Sequence, residues 1–311
     1  MQKHRLLVAA VATIPLSIGI AQTPAASVGV VRPNFDNPAW SPNGKLIALS
    51  SNRDDLNAFP DIYVMNADGS GMRRVTHGQS ECPPLDPCGH GTPAWAPSSK
   101  RLVYQAFSFI DAIDLDGTHH DRLWNRGGEN GGACCPAWSP DGRRIAFTYR
   151  ANSEGAGGQI WLVNADSTNK RMLAMPAQAS ATFTYPTWSP NGKRVAFAYL
   201  IEPHAAKFGS STGLIGVVRA DGRGGVTKLK AGGDPWQPAW SHDGRRIAFA
   251  DHLRWIAVLN LRTHRVRRLR RGTMPSWSPN DRQIAFQGPR GGIFTMNAEG
   301  SHLRELTPTN F

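Results

Sequence analysis

Short apolar runs, separated by turn residues, recur along the chain. Leu46-Ile47-Ala48-Leu49, Ile145-Ala146-Phe147, Val195-Ala196-Phe197, Ile247-Ala248-Phe249 and Ile284-Ala285-Phe286 form one set. Ile62-Tyr63-Val64-Met65, Ile160-Trp161-Leu162-Val163 and Ile293-Phe294-Thr295-Met296 form another. All are too short for helices, and most carry β-branched or aromatic residues, so each predicts a buried strand. The first set follows turns such as Ser41-Pro42-Asn43-Gly44, Ser139-Pro140-Asp141-Gly142, Ser189-Pro190-Asn191-Gly192 and Ser241-His242-Asp243-Gly244. The second set precedes turns such as Asn66-Ala67-Asp68-Gly69 and Asn297-Ala298-Glu299-Gly300. Asn-Gly and Asp-Gly between apolar runs predict tight hairpins with both central residues at positive φ.

These pieces belong to a repeat. A Pro-x-Trp motif occurs six times, ending at Trp40, Trp95, Trp138, Trp188, Trp240 and Trp277, at intervals of roughly 37 to 55 residues. Each copy accommodates four short strands, A to D, and almost no helix. Repeats of that size and content predict propeller blades. The expected fold is all-β: a six-bladed β-propeller with four antiparallel strands per blade. A single blade exposes both sheet faces, so the repeated tryptophans and the Ile-Ala-Phe strands are assigned to packing between blades rather than to ligand stacking.

The quoted residues resemble the TolB-type propeller repeat, which runs Pro-x-Trp-Ser-Pro-Asp-Gly, then Ile-Ala-Phe, then Ile-Tyr-Val. The likeness extends from about Phe35 to Thr307. It implies protein–protein interaction in the cell envelope. Two departures stand out. TolB itself carries a further domain before its propeller, whereas here the first blade is expected to begin soon after a signal peptide. The second copy lacks the turn motif, reading Trp95-Ala96-Pro97-Ser98-Ser99.

The N-terminus adds a compartment. Lys3, His4 and Arg5 precede an apolar run from Leu6 to Ile20, with small residues following. That is the pattern of a secretory signal peptide, and the run is shorter than the roughly 20 residues a membrane-spanning helix needs. The expected layout is a signal peptide over 1–21, a linker over 22–34 and the propeller over 35–311, in a periplasmic or secreted monomer. An uncleaved anchor is the alternative. Export makes Cys82, Cys88, Cys134 and Cys135 disulfide candidates rather than metal ligands. A Cys82–Cys88 bond is favoured, with a vicinal Cys134–Cys135 bond or two cross-loop bonds as alternatives.

Antiparallel order places the A–B and C–D hairpins at one end of the channel, the bottom, and the B–C and D–A connections at the other, the top. The long irregular segments, Ser51–Pro60, Arg150–Gly158, Ile201–Gly213, His77–Thr92 and Arg126–Cys135, are all top connections. Variable loops on a rigid scaffold usually carry binding, so the top is the expected binding face. The residues before each Pro-x-Trp should ring its mouth: Asn37, Thr92, Cys135, Tyr185, Gln237 and Met274, with Asp36, Asp234 and Trp236 close by.

Catalytic signatures are weak. Gly209–Gly213 fits G-x-S-x-G but falls in a loop of an all-β chain, without the strand-to-helix turn a nucleophile elbow requires. His77, His90 and His204, with Glu202 and Asp234, lie near top loops, but no spacing joins them; His119 and His120 follow a bottom turn. No metal or cofactor motif is found, and none is expected. The net charge of +12 attracts anions without naming them. Arg262, Arg265, Arg267, Arg268, Arg270 and Arg271 fall on the outermost strand of the fifth blade. There they protect an edge, and could also attract an anionic polymer or surface; no interleaved aromatics suggest specific nucleic-acid binding. The combined expectation is an exported, non-enzymatic scaffold that binds protein partners in the cell envelope. The alternative is a lyase- or hydrolase-type propeller enzyme acting on carbohydrate or another small substrate at the mouth.

Overall fold

A computed structural model describes residues 33–56, 59–78, 90–125, 131–151, 157–178, 180–201 and 213–307. Cys82, Cys88, Glu202, His204 and nearly all of Gly209–Gly213 lie outside these residues, as do residues 1–32. The described residues fall within the unit Arg32–Phe311.

Every named element is a strand, and the strands form six sheets of four, each in sequence order and antiparallel. Blade 1 is Phe35–Trp40, Leu46–Ser51, Asp61–Asn66 and Arg73–Arg74. The innermost A strands of blades 2 to 6 are His90–Trp95, Gly132–Trp138, Ala181–Trp188, Trp236–Trp240 and Thr273–Trp277.

The core is divided among six clusters, each shared by two adjacent blades. Ala48, Ile62 and Val64 of blade 1 meet Trp95, Leu102 and Tyr104 of blade 2. The pattern continues round to Ala285 and Ile293 of blade 6, which meet Phe35, Ile47 and Tyr63 of blade 1. That last cluster closes the ring by side-chain packing, because among the described residues no sheet borrows a strand from another blade. Each sheet thus buries both faces, as quasi-one-dimensional repeats require.

The tryptophans do pack between blades, but in two alternating environments. Trp95, Trp188 and Trp277 are buried, and their indole N–H groups donate across the interface to the carbonyls of Ala39, Ala137 and Ala239, at 2.8, 3.1 and 3.1 Å. Trp40, Trp138 and Trp240, on the blades between, are half-buried, and their indole nitrogens are enclosed without a partner among the described residues. The six-fold repeat is therefore a three-fold arrangement of blade pairs.

The hairpins differ from the two-residue turns expected. In Ser41-Pro42-Asn43-Gly44 the Gly44 N–H donates to the Ser41 carbonyl at 2.8 Å, and only Gly44 has positive φ, at 71°. This is a type I turn, with proline presetting its first corner, followed by a left-handed glycine. Gly44 lies against Pro279 of the neighbouring blade, as Gly244 lies against Pro190. The second copy makes the same turn without glycine: Ser99 takes φ 57°, and its hydroxyl accepts the Asn43 N–H at 3.1 Å. Asp281 plays that part in blade 6, at φ 56°.

Candidate functional site at the channel mouth

Each A strand departs from its ladder at the residue before Pro-x-Trp. Pairing with strand B slips there in all six blades, for example between Asp36 and Ala39 and between Thr184 and Thr187. Proline cannot donate to a ladder and disfavours the right-handed helical region in the residue before it, so a bulge forms. Asn37, Thr92, Cys135, Tyr185, Gln237 and Met274 all adopt positive φ, between 48° and 59°. None is glycine, so each holds a conformation costing about 1 kcal/mol or more.

The bulges bring these six residues together. With the prolines that follow them, they line one cavity of about 120 Å³ at the channel end. Neighbouring blades hold the ring: the Met274 N–H donates to Gln237 Oε1 at 2.9 Å, and the Tyr185 N–H to Thr148 Oγ1 at 3.2 Å. The Asn37 N–H points to Met274 Sδ at 3.2 Å. Burial pushes the Tyr185 phenol well above the ordinary tyrosine range. No ionisable carboxylate or imidazole lines this cavity.

A second cavity, of about 570 Å³, opens beside the mouth between blades 4, 5 and 6. Tyr185, Asp234, Trp236, Gln237 and Met274 contribute to its wall, so it shares three ring residues and gathers Asp234 and Trp236, but not Asp36, of the three candidates close to the ring. Trp236 is 39% exposed, and its ring lies 5.5 Å from that of Tyr185, tilted by 55°. Asp234 Oδ1 accepts the Gly213 N–H at 2.5 Å.

Asp251, His252 and Arg254 also line this cavity. They occupy a tight B–C turn, which the sequence does not set apart as it does the long top connections. Asp251 is buried, accepts the Leu253 and Trp255 N–H groups at 3.0 and 2.9 Å, and pairs with Arg268 at 2.7 Å. On the same face, Asp36 bonds Asn34 and Gln287, yet burial raises its carboxyl above the usual range.

Other candidates stay apart from the mouth. His90 is buried between blades, its Nδ1 2.9 Å from both Asp61 and Thr76, in a network that also takes the Gly78 N–H. His120 sits 3.1 Å from Asp111 and 3.0 Å from the Tyr104 hydroxyl. His119 lies 3.0 Å from Asp114. Among the described residues, no three His, Cys, Asp or Glu side chains are grouped to hold a metal ion.

The arginine strand is engaged with its own protein. Arg268 pairs with Asp251 and Arg267 with Glu299. Arg270 donates to the Gly300 carbonyl, and Arg271 lies over Trp255 at 5.4 Å. Cys134 and Cys135 are free thiols. Among the described residues, no helix is long and apolar enough to cross a membrane.

No family model matches the chain. An uncharacterized protein of Agrobacterium fabrum is 30% identical over 124 residues, covering 36% of this chain and 39% of that protein. The Tol-Pal system protein TolB of Alcanivorax borkumensis is 29% identical over 109 residues, covering 33% of this chain and 22% of that protein. The matches thus span less than half the length of either relative. In three dimensions the chain is similar to TolB from Acinetobacter baumannii, with a TM-score of 0.60 and 20% identity over 86% of this chain and 61% of that one. A putative TolB from Agrobacterium tumefaciens gives 0.59 and 20%, covering 76% and 84%. An oligogalacturonate lyase in complex with manganese gives 0.56 and 13%, covering 84% and 88%. At such identities the likeness is one of fold. With repeat, ring closure and structural neighbours in agreement, the chain is a TolB-like six-bladed β-propeller.

Proposed function

We propose that this protein is an exported, non-enzymatic scaffold of the cell envelope that binds a protein partner across its top face. One observation carries the reading: six strained residues converge on a cavity of about 120 Å³ with no ionisable carboxylate or imidazole in its wall. Small-molecule sites commonly span about 300–1,000 Å³. The mouth instead suits single side chains presented by a larger surface. Trp236, exposed beside it, is the kind of aromatic that anchors protein interfaces. Similarity to a Tol-Pal system protein supports an envelope partner.

The experiment is affinity capture from envelope extract with wild type and Trp236→Ala. The proposal expects a protein retained by wild type and reduced at least fivefold by the variant, with thermal stability unchanged. Equal retention by both would refute the assigned surface.

The cavity beside the mouth favours a second reading. At about 570 Å³ it is large enough for a sugar, and Asp234, His252 and Arg254 offer acid, base and anion-binding groups. Turnover of oligosaccharides, measured with and without chelator and abolished by Asp234→Asn, would establish the enzyme instead.

A further inference from the structure

We propose that the seam between blades 6 and 1 carries a second binding site, on the bottom face, that takes a neutral oligosaccharide. A cavity of about 970 Å³ opens there. Small-molecule sites span about 300–1,000 Å³, so this one has room for several sugar rings. Trp40, Asn43, Asp68, Asn280, Gln283 and His302 contribute to its wall. Asn43 and Asn280 belong to the A–B turns of the two blades and Asp68 to a C–D turn, which puts the cavity at the end of the ring opposite the mouth. Across the same seam, Arg304 of blade 6 donates to the Asp68 carbonyl of blade 1 at 3.0 Å.

The repeat changes at this seam in two ways, and both leave neutral groups available. The A–B turn needs only an acceptor at its third residue. Asp141 and Asp243 supply it in blades 3 and 5, where Oδ1 accepts the Arg143 and Arg245 N–H groups at 3.1 and 2.9 Å. Asn43 and Asn280 do the same through Oδ1, towards the Lys45 and Arg282 N–H groups at 3.0 and 3.1 Å. Their Nδ2 groups are surplus to the turn and have no hydrogen-bond partner among the described residues. The second change is at the first residue of strand B. Its carbonyl accepts the N–H of the residue after each tryptophan, so Leu46, Arg101, Arg144, Arg194, Arg246 and Gln283 occupy equivalent positions. In blades 3 and 5 the arginine covers the tryptophan of the following blade: Arg144 lies over Trp188 at 4.9 Å and Arg246 over Trp277 at 4.6 Å. Blade 6 has the shorter, uncharged Gln283, and among the described residues no cation lies over Trp40. The half-buried Trp40 indole thus offers apolar surface to the C–H face of a sugar ring. Amide groups of Asn and Gln, which donate and accept side by side, suit hydroxyls. Asp68 and Arg304 both stand in the wall with opposite charges, a balance that favours a neutral ligand over an ion. This goes beyond the readings placed at the mouth and does not depend on them.

The test is calorimetric titration of the full chain with maltotriose, cellotriose and chitotriose. Saturable binding of at least one is expected. Asn43→Asp and Asn280→Asp keep the turn acceptor, as Asp141 and Asp243 do, but remove the amide donor. Gln283→Arg restores the arginine of blades 2 to 5 and covers Trp40. Each of the three should weaken binding at least tenfold while circular dichroism stays that of wild type. Asn191→Asp makes the same exchange in the blade 4 turn, outside this cavity, and should bind as wild type does. Trp236→Ala, at the mouth, should also bind normally. The proposal is overturned if none of the three sugars binds, if the folded seam variants bind like wild type, if Asn191→Asp weakens binding as much as they do, or if Trp236→Ala abolishes it.

Discussion

The alternation of the tryptophans makes the most discriminating prediction. Replacing any of the six with phenylalanine removes the same atoms, but the indole N–H lost differs. At Trp95 it donates to the Ala39 carbonyl at 2.8 Å, and among the described residues no cation lies over this ring, unlike those of Trp188 and Trp277. Its removal forfeits a hydrogen bond worth about 0.5–1.5 kcal/mol and leaves a carbonyl at a packed interface. At Trp138 the indole nitrogen is enclosed with no partner among the described residues. An unsatisfied buried donor costs about 1–3 kcal/mol, so its removal recovers part of the packing lost. The difference between the two variants should be about 2 kcal/mol. At about 2–4 °C per kcal/mol for large domains, Trp95→Phe should melt about 4–8 °C below Trp138→Phe. Urea titration with equal m-values provides the free-energy check. Trp188 and Trp277 should follow Trp95, and Trp40 and Trp240 should follow Trp138. Equal losses at Trp95 and Trp138 would refute the assignment of two environments.

Three further outcomes are expected. In Gly216→Ala the added Cβ would run into the ring of Phe197, which is fully buried; overpacking should cost about 1–3 kcal/mol, read as a lower urea midpoint. The Asp281 carboxylate accepts the His242 and Asp243 N–H groups at 2.8 and 2.7 Å while its backbone sits at φ 56°. Asp281→Ala should therefore cost about 2 kcal/mol in the melt, and Asp281→Gly less, because glycine relieves the left-handed strain. Serine or threonine hydroxyls, most of them with a backbone N–H, hold the carboxyls of Asp68, Asp116, Asp141 and Asp166 below their ordinary value of 3.8. Their contribution is complete above that value and is lost as pH falls through and below it; Asp36, raised by burial, opposes them but stands alone against four. The melting temperature should hold down to about pH 5 and drop below about pH 4. A rise on acidification from pH 4 to 3 would contradict this.

The blades and the mouth ring are legible in the sequence because one short motif encodes both. Tryptophan fixes the interface, and proline, by refusing the ladder, forces the residue before it out of the strand; six repetitions make a ring whatever those six residues are. What the sequence does not reveal is set by contacts between blades. Ser99 and Asp281 replace the turn glycine and look like departures from the repeat, yet each spends its side chain on a neighbour's backbone and so keeps the turn. Asp251, His252 and Arg254 sit in a turn too short to attract notice, and only the ring brings them beside Trp236. The arginine run reads as a free cationic strip, but Arg267 and Arg268 are matched to acids distant in sequence. In a repeat protein, the repeat announces the scaffold, and the exceptions to it carry what distinguishes one member from another. At the mouth the repeated backbone conformation holds six different side chains. On the function proposed above, exchanging those six residues should change which partner is retained in affinity capture, while the blades beneath them keep their fold.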